Sequence, residues 1–342
     1  MSSPPLAAVD PRQYTVTRGL HSQFATATYR SGRAALRTFS VFEYIPMNVC
    51  VIFNPSAKGD KARHFRAHLD DLKRSASLFA TSGPGDATRL VTQALADGFQ
   101  TIVAAGGDGT VNEVADGFAK AGAAAFRARM AVVPLGTMNV FARELGLPLK
   151  SAAAWQVVLN GKERLVDLPQ ARFTVAGQAR SRAFAQMAGA GLDARAIEGV
   201  NWKWKKRTGP LAYVMSSVKA VCTRQSRIRV AGGGRSAEGE LVLFGNGRLY
   251  GGNLVLFPDA RLDDQLLDAA VFPKMNWFTL LRCGVSLLAR RRLPEAVITR
   301  LRAPELILSS TERTPFELDG ELVGILPATL SFLPQPLRVL VP

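Results

Sequence analysis

Between about residues 47 and 137, short apolar runs alternate with stretches of helical periodicity. The apolar runs occupy residues 49–53, 78–81, 101–105 and 130–133, and their continuity is typical of strands buried on both faces. Apolar residues recur at helical spacing in residues 86–96 and 111–119, and a polar helical stretch extends to about residue 74. Repeated strand–turn–helix units predict a parallel sheet with helices on both faces, in which ligands bind at the carboxyl ends of the strands.

After about residue 169 the pattern changes to short strand-like runs separated by Gly, Pro, Asn and Asp. These runs occupy residues 172–176, 183–188, 227–231, 240–244, 253–257, 267–272, 305–309 and 315–318. Such spacing is typical of an antiparallel sandwich. Residues 209–224 and 277–292 have helical periodicity. The predicted fold class is therefore α/β plus β, with an N-terminal Rossmann-like parallel domain and a C-terminal antiparallel β-sandwich.

Three segments follow from these patterns: an extension over residues 1–46, an α/β domain over 47–168 and a β-sandwich domain over 169–342. Packing of the final segment of the chain against the first domain is left open. The extension holds five Arg, two acids and many Ser and Thr without clear periodicity. We expect it to be a disordered extension or an upstream start, and a targeting segment or an ordered segment are the alternatives.

Composition limits the class of protein without choosing its partner. The chain has 342 residues, of which 47% are hydrophobic and 20% charged, which suits about two globular domains. The 43 Lys and Arg against 27 Asp and Glu give a net charge of +16, which favours a polyanionic partner such as nucleic acid, an anionic membrane or a phosphate-rich ligand. No uninterrupted apolar stretch reaches the length of a spanning helix. Three distant cysteines without a CxxC pair argue against a disulfide scaffold or a zinc site.

The sequence Gly-Gly-Asp-Gly-Thr over residues 106–110 lies between a buried strand and a helix, where it can approach a ligand closely. Its three glycines permit positive φ, and successive backbone N–H groups at a helix N-terminus can bind phosphate. Asp108 alone would repel phosphate, so we expect it to face a bound Mg²⁺ or the reacting hydroxyl. A glycine turn in which Asp108 caps the helix is the alternative.

The segment GGDGTVNEV and the later PLGTMNVFARELGLP resemble the diacylglycerol kinase catalytic domain, whose superfamily includes bacterial lipid kinases and sphingosine kinases. The resemblance runs from about Met47 to the C-terminus. Further markers are Asn54-Pro55, residues 81–87, residues 244–247 with 251–252, residues 258–264 and the Leu-Asp-Gly-Glu of residues 318–321. It implies a fold of the NAD-kinase and diacylglycerol-kinase type and ATP-dependent phosphorylation of a diacylglycerol-like or sphingoid lipid hydroxyl.

The resemblance also implies individual roles. ATP would be bound by Asn54, Thr81, Gly106, Gly107, Asp108, Gly109, Thr110, Asn112, Gly136, Thr137 and Asn139. Glu321 matches the family's general base, Asp319 would orient the site and Asp108 would organise the Mg²⁺-nucleotide. A carboxylate near the nucleophile suits phosphoryl transfer, which depends on positioning and charge neutralisation. Asp-Gly at 319–320 is also a strong hairpin turn signal, and the two readings are compatible.

A second, structural Mg²⁺ is implied at Asp264, with the backbone carbonyls of Arg261 and Leu266 as further ligands and Asp167 reaching the ion through water. Oxygen ligands with retained waters suit Mg²⁺. The chain departs from the family pattern in three places. The first loop reads NPSAKG, Val140 stands where many relatives carry Asp, and Gln265 replaces a common Gly.

A basic, Trp-containing stretch follows the predicted catalytic domain. Trp202 and Trp204 alternate with Lys203, Lys205, Lys206 and Arg207, and residues 290–292 are three consecutive arginines. Basic residues attract anionic bilayers and Trp favours the interface, so we expect a peripheral membrane-docking face on a cytoplasmic protein. A solvated basic surface is the alternative.

Two other functions stay open beside the lipid kinase. One is an NAD kinase-like or other small-molecule kinase, because NAD kinases share GGDGT, and the other is a degenerate nucleotide-binding regulator. The predicted partners are a lipid substrate and an anionic membrane surface, and no nucleic acid, since no motif of that kind accompanies the charge. A homodimer is left open, and ATP and Mg²⁺ are the expected cofactors.

Overall fold

The computed structural model describes residues 14–18, 25–31, 35–41, 48–57, 60–67, 76–122, 125, 127–191, 225–290 and 292–342. The chain divides into two units, Met1–Met47 and Asn48–Pro342. In the first unit, β1 (Tyr14–Arg18), β2 (Ala25–Ser31) and β3 (Ala35–Val41) form an antiparallel sheet in that order. This differs from the irregular extension that we expect from the sequence. The alternation of Thr with Ala at residues 25–28 is the local β signal behind it.

The second unit begins with the α/β layer. Its elements are β4 (Val49–Phe53), α1 (Asp60–Ala67), β5 (Ser77–Ala80), α2 (Asp86–Ala96), β6 (Thr101–Gly106), α3 (Asp108–Ala121), β7 (Arg129–Pro134), α4 (Val140–Glu144), α5 (Ser151–Asn160) and β8 (Lys162–Val166). The sheet order is β5-β4-β6-β7, with all three pairings parallel, and it continues through the last strand of the chain to β8. Every residue of β6 is buried, as the continuous apolar run predicts.

The sandwich contains the remaining strands. They are β9 (Pro169–Val175), β10 (Gln178–Ala183), β11 (Met187–Gly191), β12 (Ile228–Gly232), β13 (Arg235–Gly239), β14 (Leu241–Gly245), β15 (Leu249–Tyr250), β16 (Leu254–Val255), β17 (Leu267–Phe272), then α6 (Trp277–Arg290), a short 3-10 helix Glu295–Val297, and β18 (Thr299–Ala303), β19 (Glu305–Ser310), β20 (Pro315–Leu318), β21 (Glu321–Ile325), β22 (Ala328–Phe332) and β23 (Leu337–Val341). One sheet has the order β10-β9-β22-β19-β12-β13 and the other β18-β17-β14-β11-β20-β21; all pairings in both are antiparallel. This architecture confirms the predicted fold class.

The second sandwich sheet is covered on both faces. Along β14, Val242 and Phe244 belong to the core between the two sheets, whereas Leu241 and Leu243 join a separate cluster that includes Cys283 of α6. Successive side chains of a strand point to opposite faces, so a fully apolar strand needs a cover on each side. Helix α6 provides that cover.

The last strand, β23, inserts between two strands of the α/β sheet. It pairs in parallel with β7 and antiparallel with β8, and its residues Leu337, Val339 and Leu340 are buried in the α/β core. The α/β core is therefore completed by the C-terminal residues of the chain.

Two predicted strands are displaced, for identifiable reasons. Residues 184–186 leave the sheet between β10 and β11, because the N–H groups of residues 185–187 donate to the side chain of Asp319. The predicted strand 253–257 shortens to β16, because the N–H groups of Leu256 and Phe257 both donate to the carbonyl of Arg248. The predicted helix 209–224 lies outside the described residues. Within the described part of the chain, no helix is both long and apolar enough to cross a bilayer.

Candidate active site

Two glycine loops at the carboxyl end of the parallel sheet meet backbone to backbone. Gly107 follows β6 and Gly136 follows β7, and the N–H of Leu135 donates to the carbonyl of Gly106 at 2.8 Å. A Cβ at Gly136 would stand 2.6 Å from the Cα of Gly107, and one at Gly107 would stand 3.3 Å from the Cα of Gly136. Any side chain at these positions would push the two loops apart, so close contact between the loops requires glycine at both.

Asp108 holds the second loop in place. Its two carboxylate oxygens accept the backbone N–H groups of Asn139 at 2.9 Å and Val140 at 2.6 Å, at the start of α4. Burial raises the pKa of Asp108, and these backbone hydrogen bonds oppose the rise. Asp108 thus caps a helix, as the alternative reading proposes, but the helix is α4 and not its own α3. Val140 keeps this contact through its backbone although its side chain departs from the family pattern.

Asn139 is buried and folds back on the same loop. Its φ is +49°, a left-handed conformation that Asn tolerates better than most residues. Its side-chain oxygen accepts the N–H of Gly136 at 3.0 Å, and its amide group donates to the Gly136 carbonyl at 2.7 Å. Thr137 is exposed at the tip of the loop. Asn139 therefore shapes the loop, and the ligand contact predicted for Thr137 stays a prediction.

Helix α3 carries two buried polar side chains one turn apart that reach the sandwich. Asp116 accepts the N–H of Ala183 at 2.9 Å. The amide of Asn112, oriented with its nitrogen toward the acceptors, donates to the carbonyl of Ala183 at 3.3 Å and to Asp319 Oδ2 at 3.1 Å. Asn112 has no exposed surface, so its position differs from the nucleotide contact that we expect from the sequence.

Asp319 lies in the turn between β20 and β21 with φ at +46°. Its carboxylate accepts the N–H groups of Ala185 at 2.7 Å, Met187 at 2.8 Å and Gln186 at 3.1 Å. Burial raises the pKa of Asp319 to about 7, and the carboxylate of Asp108 adds to the rise, while the backbone donors lower it. Asp319 therefore secures the Asp-Gly-Glu turn against the start of β11.

Glu321 begins β21 immediately after that turn and faces the glycine loop. A Cβ at Gly109 would stand 3.4 Å from Glu321 Oε1. The other oxygen, Oε2, accepts a hydrogen bond at 2.5 Å from the guanidinium of Arg182 on β10. The GGDGT loop and the Asp-Gly-Glu motif, more than 200 residues apart in sequence, thus share one cleft.

The first two predicted nucleotide loops lie beside this cleft. Several of their polar groups form hydrogen bonds with neighbouring protein groups. Asn54 Oδ1 accepts the N–H of Ser56 at 2.8 Å, and Arg66 donates to the carbonyls of Pro55 and Ala57. The N–H of Thr81 donates to the carbonyl of Phe53 at 2.9 Å, which aligns the ends of β4 and β5.

The comparisons with known proteins agree with this arrangement. Residues 48–171 match the diacylglycerol kinase catalytic domain, and residues 186–341 match the YegS C-terminal NAD kinase beta sandwich-like domain. A diacylglycerol kinase of Bacillus subtilis is 30% identical over 300 residues, which cover 85% of this chain and 95% of that protein. The chain belongs to the diacylglycerol kinase family. It is accordingly an enzyme, a kinase with the family's catalytic domain.

Other relatives have similar coverage. A probable lipid kinase YegS-like of Pseudomonas aeruginosa is 34% identical over 299 residues, which cover 85% of this chain and 93% of that protein. A crystal structure of a putative diacylglycerol kinase from Bacillus anthracis superposes with a TM-score of 0.69 at 24% identity, over 86% of this chain and 98% of that one. A yeast NADH kinase shares the fold at a TM-score of 0.51 and 8% identity, over 96% of this chain and 89% of that one.

The two acids that the family resemblance places at a structural Mg²⁺, Asp264 and Asp167, are both engaged with groups of the protein. Asp264 Oδ2 accepts from Arg302 at 2.5 Å, and its Oδ1 accepts the N–H of Leu266 at 3.1 Å. Arg302 also approaches Asp268 Oδ2 at 3.3 Å and donates to the carbonyl of Asp259 at 3.1 Å. A guanidinium already neutralises these acids and would repel a second cation.

Asp167, the water-mediated ligand in that prediction, is also committed, since its Oδ2 accepts the N–H of Gln265 at 2.7 Å. Burial raises the pKa of Asp167, and Asp264 and Asp263 add to the rise. No cluster of three His, Cys, Asp or Glu residues suited to a metal occurs within the described residues. The metal site at Asp264, Arg261, Leu266 and Asp167 stays a prediction, and the contacts of the two acids weigh against it.

Two residues of the candidate site, Arg182 and Glu144, could not be identified from the sequence. Arg182 lies on an exposed, polar edge strand without a motif. Glu144 is buried at the end of α4 and accepts from Arg248, from Gln186 and from the N–H of Leu249. Its position five residues after the GTMN of the family motif is the signal that could have identified it. The predicted membrane residues 202–207 lie outside the described residues.

Proposed function

We propose that this kinase transfers the γ-phosphate of Mg-ATP to the hydroxyl of a diacylglycerol-like or sphingoid lipid at the surface of an anionic membrane. In the proposal the phosphates lie on the GGDGT loop, with Thr137 and Asn54 at its margin, and the Mg²⁺ enters with the nucleotide. The observation that carries it is the position of Glu321, whose Oε1 faces Gly109 of that loop.

In the proposed step, Glu321 Oε1 accepts the proton of the lipid hydroxyl while the hydroxyl oxygen bonds to the γ-phosphorus. The bond from that phosphorus to the β–γ bridging oxygen breaks and ADP leaves, after which Glu321 releases the proton to solvent. Arg182 fixes the orientation of Glu321 by occupying Oε2, which leaves Oε1 directed at the loop. A positioned carboxylate of this kind contributes about 10²–10⁴-fold to a rate.

The test is transfer of labelled γ-phosphate to a lipid panel in mixed micelles, with NAD as an additional acceptor. We expect label in a lipid and a loss of about 10²-fold or more in the Glu321→Gln variant. Glu305→Gln is the matched control, because Glu305 also pairs with an arginine, Arg172, on an exposed strand of the sandwich. Both variants are first compared with the wild type by thermal melting.

Label in NAD alone would refute the lipid proposal and identify NAD as the acceptor. Full activity of Glu321→Gln in a folded sample would refute the role of the base. ATP binding without label in any acceptor would refute the lipid proposal for the panel and favour a regulator.

A further inference from the structure

Helix α6 is apolar on two opposite faces, of which only the inner one packs against the protein. Cys283 and Leu287, one turn apart, join the cluster that contains Phe257, Phe272 and Leu243 on the outer side of the sandwich sheet. This inner face is enough to explain why the helix docks where it does. It doesn't explain the apolar residues on the other side of the helix.

The outer face carries four large apolar side chains. Trp277 is 53% exposed, Phe278 67%, Leu281 67% and Val285 57%. Their spacing puts them on one side of the helix, because residues three or four apart are neighbours on a helix surface. The other large apolar side chains that are exposed in the described residues belong to separate strands or to α5. Contiguous exposed apolar surface of this kind marks an interaction site.

The segment of chain that carries this face has charges of one sign. No acidic residue occurs between Asp268 and Glu295, whereas Lys274, Arg282 and the arginines at 290–292 fall in this interval. Lys274 and Arg282 are exposed beside the apolar face. Glu240, between β13 and β14, accepts the N–H of Met275 just before the helix, so the single sign of charge belongs to the sequence that flanks α6. A helix with exposed Trp, Phe and Leu, flanked in the sequence by cations, has the character of an interfacial membrane helix.

We infer that the outer face of α6 docks on an anionic lipid bilayer, with the apolar side chains in the interface and the cations against lipid phosphates. The inference rests on the proposed lipid kinase function, which places the substrate in a membrane. A second copy of the chain is a poorer occupant, because a two-fold contact would set these cations of a +16 protein against each other.

The docking helix is packed to the catalytic loop through one hairpin. Tyr250 and Leu254 of β15 and β16 pack against the cluster that contains α6. The same hairpin is tied to α4, since Glu144 accepts the N–H of Leu249 at 2.8 Å and Arg143 donates to Asn253 at 3.0 Å. Because α4 starts at the residue that donates to Asp108, a membrane-bound α6 would hold the site at a defined distance from the bilayer.

The experiment measures sedimentation of the full chain with vesicles of phosphatidylcholine and phosphatidylglycerol in equal parts, and with pure phosphatidylcholine. The Phe278→Gln/Leu281→Gln variant should bind the mixed vesicles about ten-fold or more weakly, and wild-type binding should fall with added salt. Leu165→Gln/Ile307→Gln is the matched control, because it removes two comparably exposed apolar side chains from strands elsewhere. Control binding should equal that of the wild type, and thermal melts should show that both variants are folded.

Separate readouts distinguish failure of docking from failure of the proposed function. Kinase activity on a short-chain, monomeric diacylglycerol should be unchanged in the α6 variant, while activity on vesicle-embedded lipid should fall with binding. Equal vesicle binding by variant and wild type would overturn the docking inference, even if the kinase activity is established. Wild-type self-association that the α6 variant abolishes, without vesicle binding, would assign the face to a second copy and also overturn it. Loss of binding in the variant would support docking even where no lipid is phosphorylated.

Discussion

The contact between Gly107 and Gly136 makes a quantitative prediction about the cleft. An alanine Cβ at position 136 would stand 2.6 Å from the Cα of Gly107, whereas carbon atoms in good contact are about 3.5–4.0 Å apart. The loops would have to separate by about 1 Å. Neither atom belongs to a flexible side chain, so the separation must come from the backbone.

Gly136→Ala should therefore impair catalysis more than it impairs folding. A misplacement of about 1 Å costs on the order of 10²-fold in rate when it disturbs reacting groups. Overpacking of a tight contact costs about 1–3 kcal/mol in the free energy of unfolding. The displaced loop carries the Asn139 and Val140 N–H groups that hold Asp108, so both nucleotide binding and turnover should fall.

The assays are phosphoryl transfer to lipid in mixed micelles, ATP binding and thermal melting, with Gly83→Ala as the matched control. Gly83 lies in the second predicted nucleotide loop, its φ is not positive, and a Cβ there meets no atom within 4 Å. Gly83→Ala should behave like the wild type in all three assays. Activity of Gly136→Ala within two-fold of Gly83→Ala would refute the reasoning from the loop contact.

Two further predictions concern buried acids. Because burial raises the pKa of Asp319 from 3.8 to about 7, its carboxyl stabilises the fold fully below pH 3.8 and loses that contribution as pH rises through about 7. Asp319→Asn should lack this component when melts are compared across that range, and identical pH profiles would contradict it. Arg302→Met leaves Asp264 and Asp268 without their cation and should lower the free energy of unfolding by about 1–3 kcal/mol, whereas EDTA should not change the wild-type melt. A fall in wild-type Tm on adding EDTA would contradict the assignment of Arg302 as the internal cation.

The sequence predicts the parallel layer well because its strands are buried on both faces. A continuous apolar run such as residues 101–105 is stable as a strand that helices cover on both faces of the sheet. The observed β6 is one residue longer than this predicted run. Exposed edge strands lack such a signal. Four of the six residues of β10 are polar and four are exposed, so neither the strand nor the position of Arg182 on it follows from periodicity.

The site is predictable only where a motif carries it. Gly107, Asp108 and Glu321 are found from the family resemblance, and they come together at one cleft. The role of Asn112 could not be predicted from GGDGTVNEV. A polar residue in this motif can face either the ligand or the protein interior, and the motif alone does not distinguish the two. The pairing of Asp264 could not be predicted for a related reason. The cation that pairs with Asp264 comes from Arg302, 38 residues later on a different strand.

A chain of buried and partly buried hydrogen bonds connects the helix of the GGDGT loop to the proposed base. Asp116 and Asn112 on α3 hold residue 183, residues 185–187 hold Asp319, and Asp319 precedes Glu321 by one glycine. A shift of Glu321 relative to the GGDGT helix would have to break buried bonds, and each broken bond leaves a group unsatisfied at a cost of about 1–3 kcal/mol. The distance between the GGDGT loop and the proposed base is therefore set before any ligand arrives. This is the preorganisation that positioning catalysis requires.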